Sequence, residues 1–329
     1  MAYPVSMSPD TSDLPLVVIV GPTASGKSSL GIALAKKFGG EIVACDSTQL
    51  YRGFDIGTAK PTETERAGVP HHLLDVLSPE EPSTAGDYRE RAEIVLEDLR
   101  SRGKLPIFTV GTGLYLRALL EGLADLPQRS EEIRARLRES ATEHGPGHLH
   151  AILRKLDQET AARIGAADEQ KLIRAIEVCL LAQKPISEVH RTARKPLAGW
   201  TPIKLGLEPP RDVLRQRIHS RTEAMLRAGW LEEVRQLLSK NYPEGAKTFY
   251  FIGYRELRDV LQGKISLDEA RVAIQQSTRQ YAKRQLTWFR REHGVHWFKG
   301  FGDDPTIQLA AAHRLTGTLA ARGAPSGSV

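Results

Sequence analysis

Gly21-Pro22-Thr23-Ala24-Ser25-Gly26-Lys27-Ser28 fits the phosphate-loop spacing G-x-x-x-x-G-K-[ST] at every fixed position. The chemistry of these residue types is anion binding. The glycines let the backbone curl until successive N–H groups converge on one point, with a helix N-terminus behind them. Lys27 adds a point charge, and the Ser28 hydroxyl can ligate Mg²⁺. The expected ligand is a diphosphate or triphosphate. A second chemical group is Asp46, which opens Asp46-Ser47-Thr48-Gln49-Leu50-Tyr51. An acid there could hold Mg²⁺ through water or act as a general base. A helix N-cap explains the same residue without chemistry, since Asp46 and Ser47 both cap well. The third is Gly111-Thr112-Gly113. An ATPase would usually carry a Mg²⁺-binding Asp at that point. Gly and Thr make a poor site for activating water and leave an open floor for a bulky substrate. The bound phosphates therefore need not belong to a nucleotide.

All three segments follow short apolar runs. Candidate strands are 15–20, 40–45, 105–110, 202–208 and 295–298. Those before residue 111 alternate with helical patterns, which argues for a parallel sheet with its ligands beyond the carboxyl ends of the strands. From 113 to about 195 the pattern is helical only. Ile133 and Leu137 mark one segment, and Leu149, Ile152, Leu153 and Leu156 a second. Asp157 and Asp168 are N-cap candidates, and Leu172, Ile176, Cys179 and Leu180 form a further apolar face. The expected fold is α/β, a P-loop NTPase-like parallel sheet core with an inserted all-helical domain. The boundaries are a core of 14–122 and 200–300, an insertion of 123–199 and a C-terminal helix of 301–320. Disordered tails are expected at 1–13 and 321–329. One wholly mixed domain is the alternative.

The formal charge of +6 leans toward a polyanionic partner, unless the charge is evenly spread. The last long helix supplies a candidate surface. Ser266-x-x-Glu269 fits a capping box, and no Gly or Pro interrupts from Ile265 to His293. Arg279, Lys283 and Arg290 fall on one face, and Arg284 and Arg291 on a second row. Ile274, Tyr281, Trp288 and Phe289 fill the opposite arc, expected to face the core. Such a face suits a phosphate backbone, although a solvated face explains it equally. Arg217 and Arg221 are i,i+4 neighbours, and one of them could reach a diphosphate. Cys45 and Cys179 are too far apart in sequence to suggest a metal site or a disulfide framework. No apolar run approaches a membrane span, and the first 13 residues lack a signal-peptide core. A cytoplasmic protein with no membrane partner is expected.

Taken together, the chain resembles the tRNA dimethylallyltransferase (tRNA isopentenyltransferase) family, bacterial type. The matching pieces are the phosphate loop at 21–28, Asp-Ser-Thr-Gln-Leu-Tyr at 46–51 and Asp-Ile-Gly-Thr-Ala-Lys-Pro at 55–61. Then follow Pro-His-His-Leu-Leu-Asp at 70–75, Gly-Thr-Gly-Leu-Tyr at 111–115 and Ile-Gly-Tyr-Arg-Glu at 252–256. The last is Arg-Gln-Tyr-Ala-Lys-Arg-Gln-Leu-Thr-Trp-Phe-Arg at 279–290. They span about 15–298 in the family's order. Val110 departs from the pattern, which usually has a second Gly before Gly-Thr. The tail has no Cys for the zinc-finger extension of some eukaryotic relatives.

The resemblance implies transfer of a dimethylallyl group from dimethylallyl diphosphate to N6 of an adenosine beside the anticodon of certain tRNAs. The loop (Gly21, Pro22, Thr23, Ala24, Ser25, Gly26, Lys27, Ser28) would hold the leaving diphosphate. Mg²⁺ on Ser28, with Lys27 and Arg221, would spread its charge. Asp46 would accept the N6 proton, and Thr23 and Thr112 would belong to the substrate pocket. Contacts with the tRNA anticodon stem-loop would fall at Asp46, Ser47, Thr48 and Gln49, at Thr112 and at Arg134. Others would fall at Gln170, Lys171, Leu172, Ile173 and Arg174. A further group is Tyr250, Phe251, Ile252, Gly253, Tyr254 and Arg255, and the last comprises Arg279, Gln280, Lys283 and Arg284. His71 and His72 are expected to be structural, and a monomer suffices. Three alternatives remain: an adenylate isopentenyltransferase using AMP, ADP or ATP, a P-loop small-molecule kinase, and an RNA-binding protein with a vestigial loop.

Overall fold

A computed structural model describes residues 13–124, 126–191, 195–240, 242–243 and 245–321. The tails expected to be disordered lie outside these residues, apart from Asp13 and Ala321. The described residues divide into two compact units, one within 13–119 and 198–321, the other within 120–197.

The first unit opens with β1 (Leu14–Val20), α1 (Lys27–Phe38), β2 (Glu41–Cys45), α2 (Glu63–Arg66) and β3 (His71–His72). It continues with α3 (Ala85–Ser101), β4 (Pro106–Val110) and α4 (Gly113–Glu121). Leu16 to Val20 are fully buried, as expected of a parallel strand covered on both faces. The strand β3 escapes a sequence reading because two residues carry no periodicity. It exists because Ile42 and Val43 pair with His71 and His72. Both histidines have hydrogen-bond partners within the fold. His72 Nε2 lies 2.7 Å from Glu41 Oε2, and His71 Nδ1 2.8 Å from the Val69 carbonyl. Arg102 completes the Glu41 cluster at 2.6 Å, and its bonds to Glu41 hold that carboxyl below the usual range.

The second unit is helical: α5 (Glu131–His144), α6 (His148–Leu156), α7 (Gln158–Ala161), α8 (Glu169–Ala182) and α9 (Ile186–Arg191). Ser130, Asp157 and Asp168 cap α5, α7 and α8 with side-chain oxygens. Leu137, Leu149, Leu153, Leu172, Ile176 and Cys179 form its core. Leu180, expected on that apolar face, is instead 48% exposed.

The chain then returns to the first unit through β5 (Trp200–Leu207), α10 (Arg211–Arg227), α11 (Trp230–Ser239) and a 3₁₀ turn at Lys247–Tyr250. Next come α12 (Tyr254–Leu261), α13 (Leu267–Phe289), β6 (Val295–Phe298) and α14 (Pro305–Ala320). The six strands form one parallel sheet in the order β3-β2-β4-β1-β5-β6. The capping box at Ser266 and Glu269 is made in both directions. α13 ends at Phe289, short of the expected His293. There Arg291 and Glu292 bond back three residues, and Glu292 pairs with Lys204 of β5 at 3.1 Å, turning the chain into β6.

Candidate active site

The carboxyl ends of β1, β2 and β4 meet on one edge. Cys45 pairs with Val110, and the Cys45 carbonyl accepts from both Gly111 N–H (2.9 Å) and Thr112 N–H (3.0 Å). The phosphate loop leaves β1 here. Gly26 sits at φ 88° and starts α1, and a Cβ on it would lie 2.7 Å from the Gly302 nitrogen. Only glycine combines that backbone with that contact. Lys27 Nζ donates to the carbonyls of Gly21 (2.9 Å) and Pro22 (3.0 Å). Burial lowers the Lys27 pKa to about 8. Asp46 pulls it up, and Arg221 pushes it further down. Ser28 is exposed at the start of α1.

No group of three or more His, Cys, Asp or Glu that could hold a metal occurs among the described residues. A resident metal cage is therefore not what these residues build. Mg²⁺ commonly takes one or two protein oxygens and completes its shell with substrate phosphates and water. The Ser28 hydroxyl, in the same cavity as Lys27 and Asp46, fits that mode.

Asp46 caps a turn at residues 47–50, not a helix. Its Oδ1 accepts from the Thr48 N–H (2.9 Å) and the Thr48 hydroxyl (2.7 Å). Its Oδ2 lies against Gly111, where a Cβ would come within 1.8 Å. Thr112 Oγ1 accepts from the Ser47 N–H (2.9 Å) and donates to the Ser47 hydroxyl (3.1 Å), stitching this turn to the end of β4.

Arg217 and Arg221 of α10 are distinguished by their neighbours. Arg217 pairs with Asp303 at 2.7 Å and lies 3.7 Å from the centre of the Phe301 ring. Arg221 faces the cleft half-buried. Burial lowers its pKa, opposed by Glu65 and Asp46.

Two cavities meet at these groups. The larger, about 980 Å³, holds the phosphate loop with Lys27 and Ser28. The smaller, about 340 Å³, has an apolar wall that includes Ile218, Met225, Trp230, Phe251 and Ile274. Thr23, Asp46, Arg221 and Tyr281 border both. An anion site and an apolar recess thus share one carboxylate.

α13 contributes more than a basic face. Gln285, buried, accepts from the Thr23 N–H (2.7 Å) and donates to the Gly111 carbonyl (2.8 Å). The Tyr281 hydroxyl donates to the same carbonyl at 3.0 Å. The available signal was a glutamine four residues after Tyr281, on the arc assigned to the core. Ile274 and Phe289 of that arc are buried, whereas Trp288 is 39% exposed beside Gly113. Gln280, Lys283 and Arg284 are exposed, and Arg284 also lines the smaller cavity, 5.8 Å from the centre of the Tyr281 ring. Arg279 is bonded to His219 Nε2 (2.7 Å), and Arg290 is paired with Glu208.

Several residues expected to touch RNA have other partners. The Gln49 amide donates to the carbonyls of Thr58 (3.1 Å) and Ala59 (3.2 Å). Tyr250 and Arg255 are exposed, and Phe251 and Ile252 line the smaller cavity. The Tyr254 side chain is fully buried, donating to Glu233 (2.6 Å) and accepting from the Gly57 N–H (3.1 Å). Gly253 is buried, with room for no Cβ beside Trp230. In the helical unit Gln170 and Lys171 are exposed, but Leu172 and Ile173 point into the core. The side chains of Tyr254, Leu172 and Ile173 are thus buried within the protein, and the structure gives them packing partners rather than an exposed face. Arg134 and Arg174 both bind the buried Glu177 carboxylate, at 2.9 Å and 2.6 Å. Those bonds hold the Glu177 pKa below its usual value against the effect of burial.

Comparison with known proteins identifies relatives of the whole chain. A family model described as IPP transferase matches residues 49–292, and one described as isopentenyl transferase matches 14–77. The chain is 54% identical to a tRNA dimethylallyltransferase of Koribacter versatilis, over 90% of this chain and 96% of that one. It is 47% identical to a tRNA dimethylallyltransferase of Solibacter usitatus, over 92% and 98%. Among solved structures, a tRNA isopentenylpyrophosphate transferase of Bacillus halodurans superposes with a TM-score of 0.70 at 34% identity, covering 95% and 98%. A eukaryotic dimethylallyltransferase acting on tRNA superposes at 0.77 with 26% identity, covering 95% of this chain and 80% of that one.

Proposed function

The chain belongs to the tRNA dimethylallyltransferase family, and on that premise we propose how its cleft transfers a dimethylallyl group from the diphosphate to tRNA. The acceptor is N6 of the adenosine 3′ to the anticodon. Its nitrogen forms a bond to the allylic carbon as the carbon–oxygen bond to diphosphate breaks, and the N6 proton passes to Asp46. The loop N–H groups, Lys27 and Arg221 stabilise the negative charge that grows on the departing diphosphate, a contribution often larger than any other in such sites. Mg²⁺ at Ser28, when bound, supplies further charge neutralisation on those oxygens. The smaller cavity takes the prenyl tail and the acceptor base. The adenosine must leave its stack to reach Asp46, at a cost of about a few kcal/mol. Lys283 and Arg284, with Gln170 and Lys171 of the helical unit, contact the RNA backbone. The enzyme acts as a monomer in the cytoplasm.

The observation that carries this reading is Asp46 on the boundary between the phosphate-loop cavity and the apolar recess. A kinase would place a Mg²⁺-binding acid at the end of β4, where Gly111 and Thr112 stand. The test supplies labelled dimethylallyl diphosphate and Mg²⁺ with unmodified tRNA, AMP or ATP as acceptor. Label is expected in tRNA only, and the rate to fall by about 10²–10⁴ in Asp46→Ala. Label in AMP or ATP would move the chain to the adenylate-prenylating class.

A further inference from the structure

We infer that Gln285 is the positioning residue that holds the diphosphate cradle and the proton acceptor in one register. The assignment rests on the reaction proposed above and adds a residue to it. Gln285 sits on α13, whose exposed side carries Lys283 and Arg284, yet its own side chain is only 5% exposed. A buried carboxamide must have its donors and acceptors met. Here one acceptor and one donor are met by two segments far apart in sequence, both belonging to the site. The oxygen accepts from Thr23 N–H in the phosphate loop at 2.7 Å, and the nitrogen donates to the Gly111 carbonyl at 2.8 Å. The partners dictate this orientation, because an N–H needs an acceptor and a carbonyl a donor.

What the second bond holds is the floor beneath Asp46. The Gly111 carbonyl accepts from Gln285 and from the Tyr281 hydroxyl, so both of its lone pairs are engaged. Its N–H and that of Thr112 are tied to the Cys45 carbonyl. The Gly111 Cα backs the Asp46 carboxylate, and the Thr112 hydroxyl anchors Ser47. A rotation of the 111–112 peptide would therefore move the carboxylate, the threonine and the turn together. The first bond fixes Thr23, a loop residue that borders both cavities. The distance between leaving group and proton acceptor is thus spanned by one side chain. No other side chain of that length offers an acceptor and a donor at its tip without charge.

The experiment compares wild type, Gln285→Glu and Tyr281→Phe in single-turnover and steady-state transfer of labelled dimethylallyl to tRNA, with Tm measured in parallel. Gln285→Glu keeps the shape and the Thr23 bond but sets a carboxylate against the Gly111 carbonyl. The expected result is a fall in kcat of about 10–100-fold, with KM for both substrates within about threefold, because misplacement of reacting groups is felt in the chemical step. Tyr281→Phe, which removes one of the two bonds to the same carbonyl, should lower the same parameter several-fold. A donor KM that rises with kcat unchanged would make Gln285 a loop-affinity residue and overturn the assignment, as would wild-type kinetics in the folded variant. If Gln285→Glu does not fold, Gln285→Met, which keeps the length and removes both bonds, is read instead: a lowered kcat with KM unchanged supports the inference and an unchanged kcat refutes it. A wild-type protein that transfers no label to tRNA removes the reaction itself, and this assignment with it.

Discussion

Replacing Gly111 with alanine puts a methyl group where the Asp46 carboxylate lies. The added Cβ would stand 1.8 Å from Oδ2 and 2.7 Å from the carboxylate carbon. Ordinary contact needs about 3.5 Å, so the oxygen must move by roughly 1.7 Å. Asp46 cannot swing freely, because Thr48 holds its other oxygen through two hydrogen bonds. Each such bond to a charged acceptor is worth about 1.5–3 kcal/mol. The backbone itself accepts alanine, since Gly111 is absent from the positive-φ residues. The perturbation is thus confined to the position of the acid. A displacement of about 1 Å in a reacting group can cost about 10²-fold in rate. Single-turnover transfer by Gly111→Ala should therefore fall by about 10²-fold or more, with tRNA affinity within about threefold. Overpacking should cost about 1–3 kcal/mol of stability. Gly113→Ala is the control. Its Cβ would meet Trp288 at 2.3 Å, but that indole is 39% exposed and can rotate away. Its transfer rate should therefore change far less. A Gly111→Ala protein that transfers within threefold of the wild-type rate would refute the placement of Asp46 as proton acceptor.

Lys27 yields a pH prediction. With its pKa lowered to about 8, the free protein loses the loop cation above that pH, so kcat/KM for the donor should decline there. A bound diphosphate favours the charged lysine, so the break in kcat should lie higher. Lys27→Gln should abolish the break, and its persistence would assign it to another group. For stability the sign is opposite: between about 8 and 10.5 the unfolded chain binds more protons at this site, so the contribution of Lys27 to stability rises with pH. Arg134→Ala leaves the buried Glu177 carboxylate short of two charged bonds while Arg174 keeps a third, and should destabilise the helical unit by about 1–3 kcal/mol. Denaturant unfolding followed by a probe in that unit reads it, and an unchanged midpoint would return Arg134 to a purely surface role. Lys283→Ala and Arg284→Ala should each weaken tRNA binding and reduce the slope of log K against log salt by about 0.7–0.9 if each contacts a phosphate. Unchanged slopes would remove these contacts.

Much of this site was legible because its signals are local. A phosphate loop is eight consecutive residues, its glycines answer to their own backbone angles, and the apolar run before it can bury itself only as an inner strand. The Ser266 capping box closes within one helical turn. Asp46 was locatable because it follows an apolar run directly. Tertiary structure decided what depends on which way a helix is rotated and on what lies beyond it. Arg217 and Arg221 are equivalent in sequence and both line the larger cavity, but Asp303 and Phe301, some 84–86 positions on, engage the first, and only the second also borders the smaller cavity. Tyr254 reads as a member of a nucleic-acid motif until Glu233 and Gly57 are seen to occupy its hydroxyl. Gln285 lay beside residues assigned to RNA on an arc assigned to the core, and only the approach of Thr23 and Gly111 shows what its carboxamide holds. The sequence by itself determined which groups could do the chemistry, because residue type and short-range spacing set anion binding and acidity. Which of them share one cavity was decided by contacts between segments as many as 262 positions apart, and no local pattern encodes those.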